Sequence, residues 1–249
     1  MRRERSQGKH TRSDALPGTL FVVGVPIGHP DDLTIRALAT FRKVNLIATK
    51  SPFATQALLA HHNIEAALTT YDRDNAVEKV LILLDRLQQG TQIALVSDGG
   101  MPVVYDPGRL LIAAASESGI PIEVIPGTSA VVTAASIAGL NGNAFVFEGR
   151  WAGGKRRITH RLQSLQSESR TIIMFPPTRA LRQILTLLSE VLGNRWLIVA
   201  IDLTKETQNI LRGRVLELLT SYPFHAESAQ VTLVVEGKQS TGKKVRERR

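Results

Sequence analysis

The 249-residue chain has no cysteine, which excludes disulfide staples, thiolate zinc sites and cysteine nucleophiles and fits a reducing cytoplasm. Hydrophobic residues form 43% of it, enough for a substantial core, yet no run approaches the roughly 20 apolar residues of a membrane span, and the polar start Met1-Arg2-Arg3-Glu4-Arg5 lacks a signal-peptide core. The formal charge of +9 is uneven: residues 150–214 hold twelve basic side chains against four acidic ones and residues 238–249 six against one, whereas 15–149 hold eight against twelve. That distribution suits a polyanion-facing second half with basic tails, or equally a set of solvated helix faces.

From Thr19 onward, apolar runs alternate with amphipathic stretches, the pattern of an α/β protein. The expected order is strand 19–23, helix 34–41, strand 46–48, helix 55–62 and helix 75–89, the last with one stripe of Val77, Val80, Leu81, Leu84 and Leu87 and a stop at Gly90. Strand 92–96, helix 108–118 and strand 122–125 follow, so the first sheet should be largely parallel. Turn formers at Gly139-Leu140-Asn141-Gly142-Asn143 mark a boundary. Beyond it come strand 144–147, a glycine-basic loop 151–157, a helix to about 166, strand 171–175, helix 179–192, strand 196–201, helix 214–221 and strand 230–236. The division is a basic disordered tail 1–16, an N-terminal α/β domain 17–141, a C-terminal α/β domain 142–237 and a basic tail 238–249.

The chemistry-bearing stretch is Val96-Ser97-Asp98-Gly99-Gly100-Met101-Pro102-Val103-Val104-Tyr105-Asp106-Pro107-Gly108. Adjacent glycines let backbone N–H groups approach a ligand with no Cβ in the way, and an acid at a strand's C-terminal end points to where open α/β sheets bind ligands. The alternative is an ordinary strand-to-helix turn, with Asp98 and Asp106 capping it. Ser129 opens a small-residue helix, Ala130 to Ala138, whose free N–H groups could receive a carboxylate; an N-cap without a ligand is the other reading.

These blocks, with Val25-Pro26-Ile27-Gly28, Asp32-Leu33-Thr34, Ile125-Pro126-Gly127-Thr128-Ser129-Ala130, Phe147-Glu148-Gly149, Lys155-Arg156-Arg157, Leu203-Thr204-Lys205 and Leu233-Val234-Val235-Glu236-Gly237, run in an order similar to that of the tetrapyrrole-methylase superfamily. Within it the chain most resembles the ribosomal RNA small subunit methyltransferase I family, over about Gly18 to Gly237. The resemblance implies a two-domain α/β fold with a cofactor cleft between the domains, S-adenosylmethionine (SAM) as methyl donor, 2′-O-methylation of a small-subunit rRNA cytidine and a cytoplasmic homodimer acting on rRNA or the ribosomal subunit. Carried over by motif, the cofactor residues are Pro26, Ile27, Asp98, Gly99, Gly100, Met101, Val104, Ser129, Ala130, Pro176, Leu203 and Ala229, continuing to Val231.

A ribose hydroxyl is a poor nucleophile at neutral pH, so a base or a nearby cation is needed. Asp32, Asp98, Asp106, Glu148 and Lys155 are candidates; Asp32, Glu148 and Lys155 are the catalytic assignment, Asp32 and Glu148 on the resemblance. Lys155, Arg156 and Arg157 read as RNA phosphate contacts and Trp151 as a base-stacking neighbour. No metal is expected, since His29, His61 and His62 lack partners at ligand spacing.

The chain also departs from the family pattern. Where the family has roughly Ala-Glu-Asp-Thr-Arg after its second strand, this chain has Ala48-Thr49-Lys50-Ser51-Pro52-Phe53. Cofactor loops are kept while substrate-side polar groups change. The competing expectations are therefore a methyltransferase of another acceptor, such as a tetrapyrrole, and a catalytically silent RNA-binding paralogue. The Gly-x-Gly-Pro-Gly loop of the tetrapyrrole branch is absent.

Overall fold

The computed structural model describes residues 16–104, 106–151, 153–221 and 229–239. The tails expected to be disordered lie almost wholly outside these residues. By packing, the described chain forms two units, one of residues 16–23, 35–97 and 107–125, the other of residues 24–34, 98–106 and 126–239. The boundary read from sequence at 141/142 leaves residues 24–34, 98–106 and 126–141 in the N-terminal part, whereas in the structure they pack with the second unit.

In the first unit β1 (Leu20–Val23), β2 (Leu46–Thr49), β3 (Leu68–Thr70), β4 (Ile93–Leu95) and β5 (Ile122–Ile125) form a parallel sheet ordered β3-β2-β4-β1-β5. β1, β2 and β4 are buried on both faces, which is why they read as continuous apolar runs. β3, Leu-Thr-Thr, is a short edge strand without such a run and carried no sequence signal. The helices are α1 (Ile35–Lys43), α2 (Pro52–His61), α3 (Ala76–Gln88) and α4 (Arg109–Glu117). Leu83 and Leu87 of α3 pack with Leu20, Tyr71, Ile93 and Leu111, with Val80 and Leu84 at the margin. Val77, expected on the same stripe, is instead 75% exposed, as is most of Leu81.

α2 begins earlier than expected. Ser51 caps it by accepting the Ala54 N–H at 3.4 Å, and Pro52 occupies the first turn, where its missing donor costs nothing.

The second unit is built on a mixed sheet, β6-β7-β10-β8-β9, from β6 (Phe145–Arg150), β7 (Thr171–Phe175), β8 (Trp196–Ile201), β9 (Asn209–Arg214) and β10 (Val231–Val235). Only β6 and β7 run parallel among these pairs. The central strands alternate sides with period two. Ile172, Met174, Leu197, Val199, Leu233 and Val235 face a core shared with α6 (Lys155–Ser164), α7 (Leu181–Leu192) and α8 (Val215–Ser221). Ile173, Ile198, Ala200 and Val234 face the other core, with Val131 and Ala134 of α5 (Ala130–Ile137). β9 was missed because Asn209-Ile210-Leu211-Arg212-Gly213-Arg214 is polar and half-buried, the habit of an edge strand. Arg195 lies 9% exposed and donates to the carbonyls of Leu192, Gln166 and Glu236 at 3.2, 3.0 and 3.1 Å, tying the ends of α7, α6 and β10 together.

Candidate active site

Within the second unit, the sequence motifs converge on the loop that follows β1. Val25 and Gly100 exchange both backbone hydrogen bonds at 3.0 Å, and Thr128 Oγ1 donates to the Val25 carbonyl at 2.7 Å. Gly24 and Gly127 touch through their backbones: a Cβ on Gly24 would lie 2.6 Å from Gly127 N. A Cβ on Gly28 would lie 2.5 Å from the Leu203 carbonyl oxygen and the same distance from Thr204 Oγ1. His29 N–H donates to that hydroxyl at 3.0 Å. The Gly24–His29 loop is thus a hub, in contact with the 98–104 loop, the 126–129 turn and the turn after β8.

These contacts are close enough that only glycine fits at several of them. Gly100, at φ +81°, has Ile27 Cγ2 and the Thr128 carbonyl 3.5 Å from where its Cβ would stand. The sequence reading gave it an open approach to ligand; the structure gives it a loop-to-loop contact in a left-handed conformation. Gly99 is the exposed member of the pair, with the Pro26 carbonyl 3.3 Å from its missing Cβ.

Strain collects in the same loops. Among the described residues the non-glycine positions with positive φ are Asn63, Val103, Asp202 and Thr204, and the last three all belong to this set of loops. A β-branched residue in that region, as at Val103 (+74°) and Thr204 (+65°), costs free energy unless its surroundings hold it, and such strain gathers at ligand-handling sites. No sequence signal announces Val103.

Ile27 and buried Leu203 pack with Val131 and Ala134. Pro176 is buried and Met101, Ala130 and Ala229 half-buried, while Asp98 and Val104 are exposed. Ser129 caps α5, accepting the Val132 N–H at 3.5 Å. Asp32 is exposed, its N–H donating to the His29 carbonyl at 3.1 Å.

Glu148 is engaged elsewhere. Arg161 Nε donates to its carboxylate at 2.8 Å, and the same guanidinium donates to the Glu148 and Arg150 carbonyls. The guanidinium also lies 4.9 Å from the Trp151 ring centroid. Trp151 is 1% exposed inside the core, so the base-stacking expectation fails: its ring packs within the second unit and is not presented to a base.

Lys155, Arg156 and Arg157 were expected on a loop and instead form the first turn of α6, all three exposed. Gly153 (φ +123°) and Gly154 deliver the chain into that turn, and the glycine pair disguised the helix start. Arg156 and Arg157, with Gly154 and His160, line an open hollow of about 430 Å³. His160 and Arg161, one turn further on, escaped the sequence reading; their helical spacing from Arg156 and Arg157 was the available signal.

The fold has known counterparts. Residues 19–219 match the family described as tetrapyrrole (corrin/porphyrin) methylases. The chain belongs to this family. The tetrapyrrole methylases are SAM-dependent methyltransferases, and the relatives of this member include ribosomal RNA small subunit methyltransferase I proteins. That of Thermotoga maritima is 36% identical over 222 residues, 89% of this chain and 100% of its own. The Synechocystis protein is 38% identical, covering 88% of this chain and 79% of its own, and the Escherichia coli O157:H7 protein 35% identical over 92% and 81%. Among solved structures the methyltransferase CobJ superposes with a TM-score of 0.66 at 20% identity, and the cobalt precorrin-4 methyltransferase CbiF with 0.64 at 19%, each over 88% of this chain and 94% of its own. The chain is therefore a tetrapyrrole methylase in fold and a methyltransferase in class. No helix among the described residues is long and apolar enough to cross a membrane.

Proposed function

We propose that this methylase transfers a methyl group from SAM to a ribose 2′-hydroxyl, that of a cytidine in small-subunit rRNA, acting as a cytoplasmic homodimer on the ribosomal subunit or its rRNA. The observation that carries the polyanionic acceptor is the first turn of α6, which presents Lys155, Arg156 and Arg157 with no acid among them. Cations at a helix N-terminus oppose the helix dipole, so the arrangement works against the helix unless an anion sits there. RNA phosphate is such an anion, and the relatives named for small-subunit rRNA support it.

The glycine-tight hub suits SAM. Pro26, Ile27, Asp98, Gly99, Gly100, Met101 and Val104 would hold it from the loops after β1 and β4, Ser129 and Ala130 from the start of α5, and Pro176, Leu203 and Ala229 from the sheet of the second unit. When bound, SAM supplies an electrophilic methyl carbon on a sulfonium, so the chain's own task is positioning. Asp32, whose exposed carboxylate lies on the hub loop, accepts the ribose hydroxyl proton, and the Lys155 ammonium favours the developing oxyanion. Glu148 acts through Arg161 to hold α6 in place. No metal takes part.

A second acceptor class is favoured by one observation only, the loss of family acids at Thr49 to Phe53. The test is methyl transfer from labelled SAM to undermethylated small subunits, with the site mapped, alongside RNA binding against salt. Replacing Lys155, Arg156 and Arg157 by Ala should lower the slope of log K against log salt by about two units, at roughly 0.7–0.9 per lost phosphate contact. Wild-type affinity and slope in the triple variant would remove the RNA role, and exclusive labelling of a tetrapyrrole would replace the acceptor.

A further inference from the structure

The turn after β8 contains more organisation than a connection needs. It leaves β8 at Ile201 and passes through Asp202 (φ +48°), Leu203 and Thr204 (φ +65°), so two non-glycine residues hold left-handed backbone on either side of Leu203. Aspartate visits that conformation more readily than most residues, whereas β-branched threonine takes it only at a cost. Something must hold them there.

Asp202 is 9% exposed and its carboxylate is fully employed. Oδ1 accepts Lys205 Nζ at 2.7 Å and the Gln230 N–H at 3.0 Å, and Oδ2 accepts Thr207 Oγ1 at 3.1 Å. Its backbone N–H donates to the Gln230 carbonyl at 2.8 Å, and its carbonyl accepts the Lys205 N–H at 3.0 Å. Gln208 Oε1 closes the turn by accepting the Thr204 N–H at 2.8 Å. Every tie runs either within 202–208 or to the 229–230 segment that precedes β10.

The held turn is pressed onto the hub loop. The Leu203 carbonyl and Thr204 Oγ1 occupy the space where a side chain on residue 28 would be, and Thr204 Oγ1 takes the His29 N–H. Buried Leu203 packs with Ile27 and Val131. One carboxylate therefore fixes, at once, the Leu203 turn, the Ala229–Gln230 segment and, through Thr204, the Pro26–His29 loop.

We propose that Asp202, locked by Lys205 and Thr207, is a positioning residue for SAM: it clamps the strained Leu203–Thr204 turn against Gly28 and so sets three of the segments that hold the cofactor. The proposal rests on the cofactor reading above. Asp202 touches its neighbours' backbone and side chains and acts through Leu203, Ala229 and Ile27, three of the residues assigned to the cofactor.

The experiment compares the full chain with Asp202→Asn, Lys205→Met and Lys205→Arg by calorimetric titration with SAM, thermal melting without SAM, and steady-state kinetics. A segment no longer held in its bound conformation must be ordered by the ligand itself, so Asp202→Asn and Lys205→Met should each weaken SAM binding about tenfold or more at unchanged stoichiometry. KM for SAM should rise in step while kcat at saturating SAM stays within about twofold, the split expected when binding common to ground and transition states is lost. Lys205→Arg, which keeps a cation for the carboxylate, should restore affinity to within about threefold of the unmodified chain. A purely structural Asp202 would lower the melting temperature and the binding stoichiometry but leave the Kd of folded molecules unchanged. Equal Kd values across the unmodified chain and all three variants overturn the clamp alone, whereas no SAM binding by the unmodified chain overturns the cofactor reading and the clamp together.

Discussion

Arg161 grips Glu148 twice, by a 2.8 Å bond from Nε to the carboxylate and by a second bond from the guanidinium to the Glu148 carbonyl. The pair staples α6 to β6, and the carboxylate faces a permanent cation. Asp32 carries no such staple. Glu148→Gln should lower stability by about 0.5–1 kcal/mol, small because the pair is partly exposed, and leave kcat within about twofold. Asp32→Asn should lower kcat by about 10²–10⁴ with little change in melting temperature. Melting curves and single-turnover rates on small subunits check both; an equal rate loss in Glu148→Gln would return that residue to the role of base.

What the sequence disclosed follows from burial. β5, β7 and β8 were read to the residue because each writes an apolar run, β5 even at an exposed sheet edge; β3 and β9 stayed hidden because their edge strands are polar and half-buried. Lys155 to Arg157 looked like loop because Gly153 and Gly154 precede them and local composition cannot tell a helix's first turn from the loop before it. Trp151 looked like a base platform because its basic neighbours are visible in the sequence and its burial is not. Asp202 gave no hint of its five-way bonding: its partner Gln230 is 28 residues away, and only the fold joins them.

The hub's glycines should differ sharply in tolerance. Gly28→Ala drives a Cβ to 2.5 Å from a backbone carbonyl that cannot step aside, so the loop must part from the 203–204 turn. SAM affinity should fall at least about tenfold. Gly99→Ala meets the Pro26 carbonyl at 3.3 Å, which a few tenths of an ångström relieve, and should bind SAM within about threefold of the unmodified chain. Gly100→Ala lies between, costing about 1–2 kcal/mol in stability for its left-handed backbone. Titration and melting of the three variants give the order; equal behaviour of Gly28→Ala and Gly99→Ala would refute the hub.

Arg195 offers a stability test far from chemistry. Burial pushes its pKa down, while nearby Glu236 opposes that, and the charge is retained by donating to three carbonyls. Arg195→Met fills much of the volume but leaves those carbonyls without their donor, a loss of about 2–4 kcal/mol. Urea unfolding should show it, with kcat per folded molecule unchanged.

Acid should act through Asp202. Burial works to raise its carboxyl, but hydrogen bonds from Lys205, Gln230 and Thr207, together with the Lys205 charge, outweigh it and hold the group below the usual 3.8. A carboxyl lowered on folding contributes stability that is complete above its unfolded value and is lost as pH falls through its folded value. The stability of the unmodified chain should thus drop below about pH 3.8 by a component that Asp202→Asn lacks. Urea midpoints against pH for the two chains measure it, and parallel curves through that range would show that the carboxyl gains nothing on folding.

Thr49 and Thr55 explain why the family's acids cannot simply be put back. Thr49 is 0% exposed, and its hydroxyl stands 2.7 Å from that of Thr55 at the start of α2. Ser51 and Pro52 complete that start, so the segment that stands in place of the family's acids and arginine builds a capped helix. Thr49→Glu would bury a carboxylate and break the hydroxyl pair, a loss of about 3 kcal/mol or more. Lys50 is exposed and Pro52 sits in the first turn, where a replacement is cheap. The unmodified chain should therefore methylate the proposed rRNA cytidine slowly. Lys50→Asp with Pro52→Arg should fold normally and raise turnover by about 10–10², since one orienting interaction at a reacting centre commonly contributes 10²–10³. Turnover on undermethylated small subunits decides it: efficient methylation by the unmodified chain, or no gain in a folded double variant, would show that the acceptor is oriented by residues other than these.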